Sequence, residues 1–275
     1  MTSNNFYELA EACLYSRCVN EKIELTAKAK RALDLNQLVF VPIGDLKPVH
    51  EVSFPDQPLL IDPRDMPRRG LNTPDGRIAF LHAIAHIEFT AIHLAWDIGY
   101  RFREMPDSFR IDWLKVAIEE AHHFNLLRGR LLELGADYGD LPAHRGLWDL
   151  AENTAGSVLD RLALVPRFME ARGLDVTPAM IKKLQELNDA QTVEIMTLIY
   201  HEEIGHVKLG TEWFKHQCSI RSLDYEACYF NLLNQYQLGE VRGAFNQEAR
   251  LLAGFTENEL QRLATHKVSK PQASM

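Results

Sequence analysis

The sequence predicts an all-α protein: a four-helix bundle with an N-terminal helix, a proline-rich extended strap and extra C-terminal helices. Three observations carry that prediction. From Asp75 onward the chain is dominated by helix formers with apolar residues at helical spacing. Before it, Pro42, Pro48, Pro55, Pro58, Pro63, Pro67 and Pro74 crowd into residues 41–74. Strand-like alternation and short-period repeats are both missing from the sequence.

Residues 3–35 mix apolar and polar positions without proline, which predicts one helix, with room for an interruption. The prolines of 41–74 forbid regular helix and favour an extended strap. Its Val49, Phe54, Leu59, Leu60 and Ile61 predict that it packs on something, because a free linker is more polar. Further helices are expected over 75–104, 108–134, 147–172, 177–218, 222–238, 246–253 and 257–266. Pro106 and Gly135 punctuate the first two, and Gly173 followed by Pro178 is expected to separate the third from the fourth. Thr256 and Glu259 form a capping-box pattern that opens the last. Short connections between long helices predict an antiparallel bundle. The resulting division is 1–74 for helix and strap, 75–218 for the bundle, and 219–275 for a helical extension.

The 275 residues, 46% hydrophobic and 25% charged, are enough for a sizeable core. The net charge of −8, from 30 basic and 38 acidic residues, opposes a general nucleic-acid binder. Arg64, Arg68 and Arg69 form only a small local basic patch. No apolar run approaches the roughly 20 residues that span a bilayer, and the first residues lack the basic start and apolar stretch of a signal peptide. A cytoplasmic protein without membrane partners is the expectation. Cys13, Cys18, Cys218 and Cys228 form no Cys-x-x-Cys pair and read as packing thiols rather than ligands.

The chemistry lies on the buried faces. With about 100° per residue, Glu88 shares its face with Leu81, Ile84, Ala85, Ala91, Ile92, Ala95 and Gly99. A carboxylate in such a stripe needs a cation or a proton beside it. Glu120 and His123, three apart, share a face with Trp113, Val116, Ala117, Phe124, Leu127 and Leu131. The overlapping pair Glu119 and His122 points away. Glu203 and His206 repeat the pattern among Thr192, Met196, Ile199, Val207, Gly210 and Phe214. Glu170 aligns with Ala155, Gly156, Leu159, Ala163 and Pro166, where the proline is expected to kink the helix. Glu88 precedes Glu120 by 32 residues, and Glu170 precedes Glu203 by 33. Each half thus donates Glu and then Glu-x-x-His. This is the ligand pattern of carboxylate-bridged di-iron bundles. The expected metal ligands are Glu88, Glu120, His123, Glu170, Glu203 and His206, with Asp160 as the substitute for Glu170. Four carboxylates and two imidazoles suit iron or manganese better than zinc. The competing reading pairs the buried acids with Arg128, Arg161 or Arg167.

His82, His86 and His93 line another face of the same helix as Glu88 and read as packing under the strap or a partner subunit. The histidines of His201-Glu202-Glu203-Ile204-Gly205-His206 are five apart, one more than the zinc-protease motif needs. Glu202 is a candidate to orient a neighbouring histidine. Tyr200, one turn before Glu203, is the candidate catalytic residue, as a proton or electron donor. Phosphate loops and a Ser-His-Asp arrangement are not apparent.

The segments HAIAHIEFTAIHLAWD (82–97), EEAHHF (119–124), LVPRFMEARGLDVTP (164–178), HEEIGH (201–206) and AFNQEARLLAGF (244–255) resemble the bacterial ferritin-like family of domain of unknown function 455. The resemblance covers most of the chain, strap included, and more distantly extends to the ferritin-like tRNA hydroxylases. It implies a ferritin-like bundle and a di-metal site at the six positions, but no reaction. His122 stands where the family pattern has Arg. The function expected is an oxygen-dependent oxidoreductase (oxidase or hydroxylase) with two iron ions, or manganese or a mixed pair. Its partners would be dioxygen, a small-molecule substrate, an electron donor and, as an option, further copies of the chain. The alternatives are iron storage or detoxification, or a structural or binding protein stabilised by metal.

Overall fold

The computed structural model describes residues 4–67, 69–238 and 245–266, and the fold is all-α. The expected first helix is two. Helix α1 (Phe6–Tyr15) starts where the Asn5 side chain accepts from the Tyr7 amide, and α2 (Val19–Asp34) follows a break at 16–18. Ser16 and Cys18 make that break by a local bond, Cys18 N–H to Ser16 Oγ at 3.0 Å, which competes with helical hydrogen bonding. The fully buried Lys22 fastens both helices. Its ammonium donates to the carbonyls of Cys13 (2.6 Å), Leu14 (3.2 Å) and Ser53 (3.0 Å). The first two are end carbonyls of α1, where a cation also suits the helix dipole.

Among its described residues the strap has no regular helix beyond two single 3₁₀ turns, Val49–Glu51 and Pro63–Asp65. It is held at defined points. The Ser53 amide donates to Leu14 O, Ile61 N donates to Ala143 O, and Ala143 N donates to Leu59 O. Phe54 stacks on His93 with ring centres 4.6 Å apart. Val52 is buried, whereas Val41, Leu46 and Leu59 keep their side chains in solvent, so the cover over the strap's apolar residues is partial. Limited proteolysis of the native protein is expected to spare residues 49–62, and rapid cutting there would contradict these anchors.

Helix α3 (Pro74–Arg101) opens on a Thr73 cap with Pro74 at its first position, and it packs along α4 (Asp107–Glu133). By length and composition α3 could cross a bilayer, beyond what its sequence suggested, but 67% of its most apolar window is buried inside the protein. It is a core helix. Helix α5 (Gly146–Asn153) is followed by a break, then α6 (Val158–Leu164) capped by Ser157. Residues Val165–Glu170 form a π-turn and lead directly into α7 (Ala171–Glu186). Pro166 thus distorts the helix as expected, through a widened turn.

The expected boundary at Gly173 and Pro178 is not there. Both lie inside α7, and the chain breaks only at 187–189, before α8 (Ala190–Ile220). A proline inside a helix strands the carbonyl four residues earlier, here that of Leu174. The Asn246 side-chain amide supplies the missing donor at 3.1 Å. The chain ends in α9 (Tyr225–Gln235), α10 (Gln247–Leu252) and α11 (Glu257–Thr265), the last with the expected Thr256–Glu259 capping box.

Two compact units result: Met1–Gly156 with Leu184–Ile195, and Ser157–Lys183 with Met196–Met275. The first is built on α3 and α4 around Phe89, Trp96, Phe124 and Leu127. The second is built on α6, the π-turn and α9, with Phe214, Tyr229, Leu233 and Phe255 in its core.

Candidate metal centre

Within the first unit, α3 and α4 bring Glu88, Glu120 and His123 together. Their ligand atoms lie within 4.8 Å of one another, and the residues are 4%, 1% and 0% exposed. His123 Nδ1 is 3.0 Å from Glu88 Oε2 and 3.5 Å from Glu120 Oε2. Burial alone would pull the imidazole down. Its hydrogen bonds to Glu120 and Glu88 outweigh that and push it up to about 11. The cluster therefore draws positive charge into the core, and a proton on His123 meets that demand in the metal-free protein. Two carboxylates and an imidazole converging on one point also form a donor set for a divalent metal. The residues fit a metal ion. Glu119 and His122, the overlapping pair, are exposed as expected.

In the second unit α8 repeats the motif. His206 Nδ1 lies 3.4 Å from Glu203 Oε1, with His206 buried and the Glu203 side chain 15% exposed. The two Glu-x-x-His pairs thus turn the same nitrogen to the same neighbour, at 3.5 Å and 3.4 Å. Glu170 closes the π-turn and is half-buried. Asp160, the expected substitute, accepts from Ser157 Oγ (2.6 Å) and from the Tyr236 hydroxyl (2.7 Å).

Two of the three arginines proposed as counter-ions are committed elsewhere. Arg128 makes a forked pair with Asp137 at 2.7 and 2.8 Å, and Arg167 pairs with Glu259 at 2.6 Å.

The other candidates fall into place. His82 Nε2 accepts from the Gly139 amide. His86 meets the Tyr138 hydroxyl at Nδ1 (2.9 Å) and the His144 carbonyl at Nε2 (3.0 Å). A carbonyl only accepts, so Nε2 carries the proton and Tyr138 donates to Nδ1. His93 lies under Phe54 of the strap. Burial lowers all three imidazoles, His86 to about 4 and His93 well below its ordinary value. These groups are neutral when folded and ordinary when unfolded, so the unfolded chain binds more protons between about pH 4 and 6.5. Stability is present in full above 6.5 and falls as the pH drops through that window. His86 alone contributes a loss of about 3 kcal/mol. Urea unfolding at neutral pH and near pH 5 checks this, and equal midpoints would contradict it.

Tyr200 is half-buried on α8, and its hydroxyl accepts from Asn246 Nδ2 at 2.7 Å. It is thereby tied to the AFNQEARLLAGF segment. Cys13 is buried beside Thr26, with its thiol pushed up to about 11 by burial, so it is a packing residue as expected. Sequence reasoning did not find Lys22, the Tyr138–His86 bond or the Arg167–Glu259 pair. Their partners are eight or more residues away in the chain, beyond the reach of helical periodicity.

A family model described as "Protein of unknown function (DUF455)" matches residues 15–261. An uncharacterized protein of Haemophilus influenzae (strain ATCC 51907 / DSM 11121 / KW20 / Rd) is 40% identical over 266 residues, which cover 93% of this chain and 92% of that protein. No solved structure matches.

Proposed function

From a chain that belongs to the DUF455 family, and takes no reaction from it, we propose a cytoplasmic di-iron carboxylate protein that acts as an oxygen-dependent oxidoreductase. The observation that carries the reading is the buried Glu88–Glu120–His123 group. Its support is the same Glu-x-x-His geometry at Glu203–His206 and the matched 32- and 33-residue spacings in the sequence. On this reading Glu88, Glu120, His123, Glu170, Glu203 and His206 hold two iron ions in a ferritin-like bundle spanning 75–218.

Two ferrous ions bound by these residues would supply the electrons for reducing dioxygen. The protein's own part is to fix the ligands and keep water out. Phe89 and Phe124, next in sequence to Glu88 and His123, are fully buried with ring centres 5.2 Å apart. They put apolar bulk into the α3–α4 core that carries these ligands. Tyr200 is the proposed proton or electron donor, with its ring held by Asn246. Tyr200→Phe is expected to slow oxidation of bound ferrous iron at unchanged iron content, at a stability cost of about 1 kcal/mol for the lost bond. Stopped-flow absorbance tests this, and unchanged kinetics would remove Tyr200 from the mechanism. The function itself is tested by anaerobic ferrous loading followed by oxygen uptake. About one dioxygen per few irons at fixed stoichiometry supports it. Continued uptake into a mineral would instead indicate storage.

A further inference from the structure

The π-turn Val165–Glu170 is held from three sides within its own unit. On α8, a Cβ at Gly210 would lie 2.4 Å from Pro166 Cβ, so only glycine lets the turn sit where it does. From α9, the Tyr229 hydroxyl donates to the Arg167 carbonyl at 3.1 Å. From α11, Glu259 Oε1 accepts from Arg167 Nη2 at 2.6 Å, both side chains fully buried. The guanidinium is boxed by three rings, with Tyr229, Phe255 and Phe214 centred 4.3, 4.7 and 4.9 Å away. Its Nε and Nη1 have no acceptor among the described residues, and the ring faces take their place. An ion pair so deeply buried is weak as a source of stability. What it does supply is geometry. A π-turn carries one residue more than the α-helical turn it replaces, and each residue turns the chain by about 100°. Whether Val165–Glu170 winds as π or as α therefore decides where the side chain of its last residue, Glu170, points.

We propose that Arg167 and Glu259 are positioning residues for Glu170: their buried ion pair locks the π-turn, and through it the C-terminal segment sets the metal ligand on that half of the centre. The proposal rests on the di-metal reading above. Glu259 offers a clean test because its two oxygens have separate partners. Oε2 accepts from the Thr256 amide in the capping box, and Oε1 holds Arg167. Glu259→Gln keeps a side-chain acceptor for the cap and removes the charge. Arg167→Lys keeps the charge and removes the fork.

The probe is Mn²⁺ alone, titrated into metal-free protein and followed by electron paramagnetic resonance, with circular dichroism and thermal melting alongside. The wild-type chain is expected to bind two ions. In both variants one ion should remain tight, and the other should weaken about 10–100-fold, as for loss of groups that orient a ligand. Leu233→Ala, a cavity in fully buried α9 packing, is the control for lost stability without a changed turn, and it should keep both ions tight. Two tight ions in folded Glu259→Gln and Arg167→Lys would overturn the proposal. So would the same selective loss in Leu233→Ala, or failure of both positioning variants to fold, since the pair would then serve the fold alone. A wild-type chain that binds no ion would instead defeat the di-metal reading itself.

Discussion

Glu120→Ala is expected to abolish stoichiometric metal binding, while Glu119→Ala, one residue away, leaves it intact. Glu120 is 1% exposed and faces His123 at 3.5 Å, whereas Glu119 lies on the exposed face of α4. Removing Glu120 takes a carboxylate from the donor set and leaves the metal charge without compensation. The affinity loss should exceed the roughly 10–100-fold typical of changes to outlying groups that orient ligands. Helix content should survive, because the change deletes a buried charge rather than core volume alone. Glu203→Ala should behave in the same way if the second Glu-x-x-His pair binds as the first does. Elemental analysis of folded variants reads the result, and two metals per chain in either Glu120→Ala or Glu203→Ala would refute the ligand assignment.

Lys22→Met should be the most destabilising single change outside the centre. Burial pulls the Lys22 amine down to about 8, which still leaves it charged near neutral pH with three carbonyls as acceptors. Methionine fills much of the same volume and donates nothing. The carbonyls of Cys13, Leu14 and Ser53 then lose a buried donor, at a combined cost of about 3–5 kcal/mol. Because Ser53 belongs to the strap, the loss should also loosen residues 49–62, and the proteolytic resistance of that segment should fall with the melting temperature. A variant as stable as wild type, with the strap still protected, would show that the ammonium is dispensable.

What could be read from the sequence divides along a physical line. The burial of Glu88, Glu120, His123 and His206 was legible because a polar group in an apolar stripe is conspicuous wherever the helix is regular, and α3, α4 and α8 are regular; Glu203, on the same reasoning, proves half-buried. The third bundle helix was not. Its face was assigned by a constant turn from residue 155 to 170, but the chain breaks at 154–157 and widens into a π-turn at Val165, so the alignment of Glu170 with Ala155 and Gly156 has no geometric basis. Gly173 and Pro178 misled for a related reason. Proline ends a helix when the carbonyl it strands has no donor, and the Asn246 amide that rescues Leu174 lies 72 residues further on. The role of Lys22 leaves no local signal, since nothing near it in the sequence reports that the end of α1 and Ser53 close over it. The histidines of α3 do pack, but the strap covers only part of what was expected of it. One of them lies under the strap and two under the 135–146 segment.

The most direct test of the di-metal claim is metal analysis of protein purified without oxygen or chelator, combined with Mössbauer spectroscopy of the iron-57-loaded chain before and after brief exposure to air. The proposal predicts two ferrous ions per chain that convert together into a magnetically coupled ferric pair. A chain that holds no stoichiometric metal, a single isolated ion, or hundreds of irons per particle would contradict it.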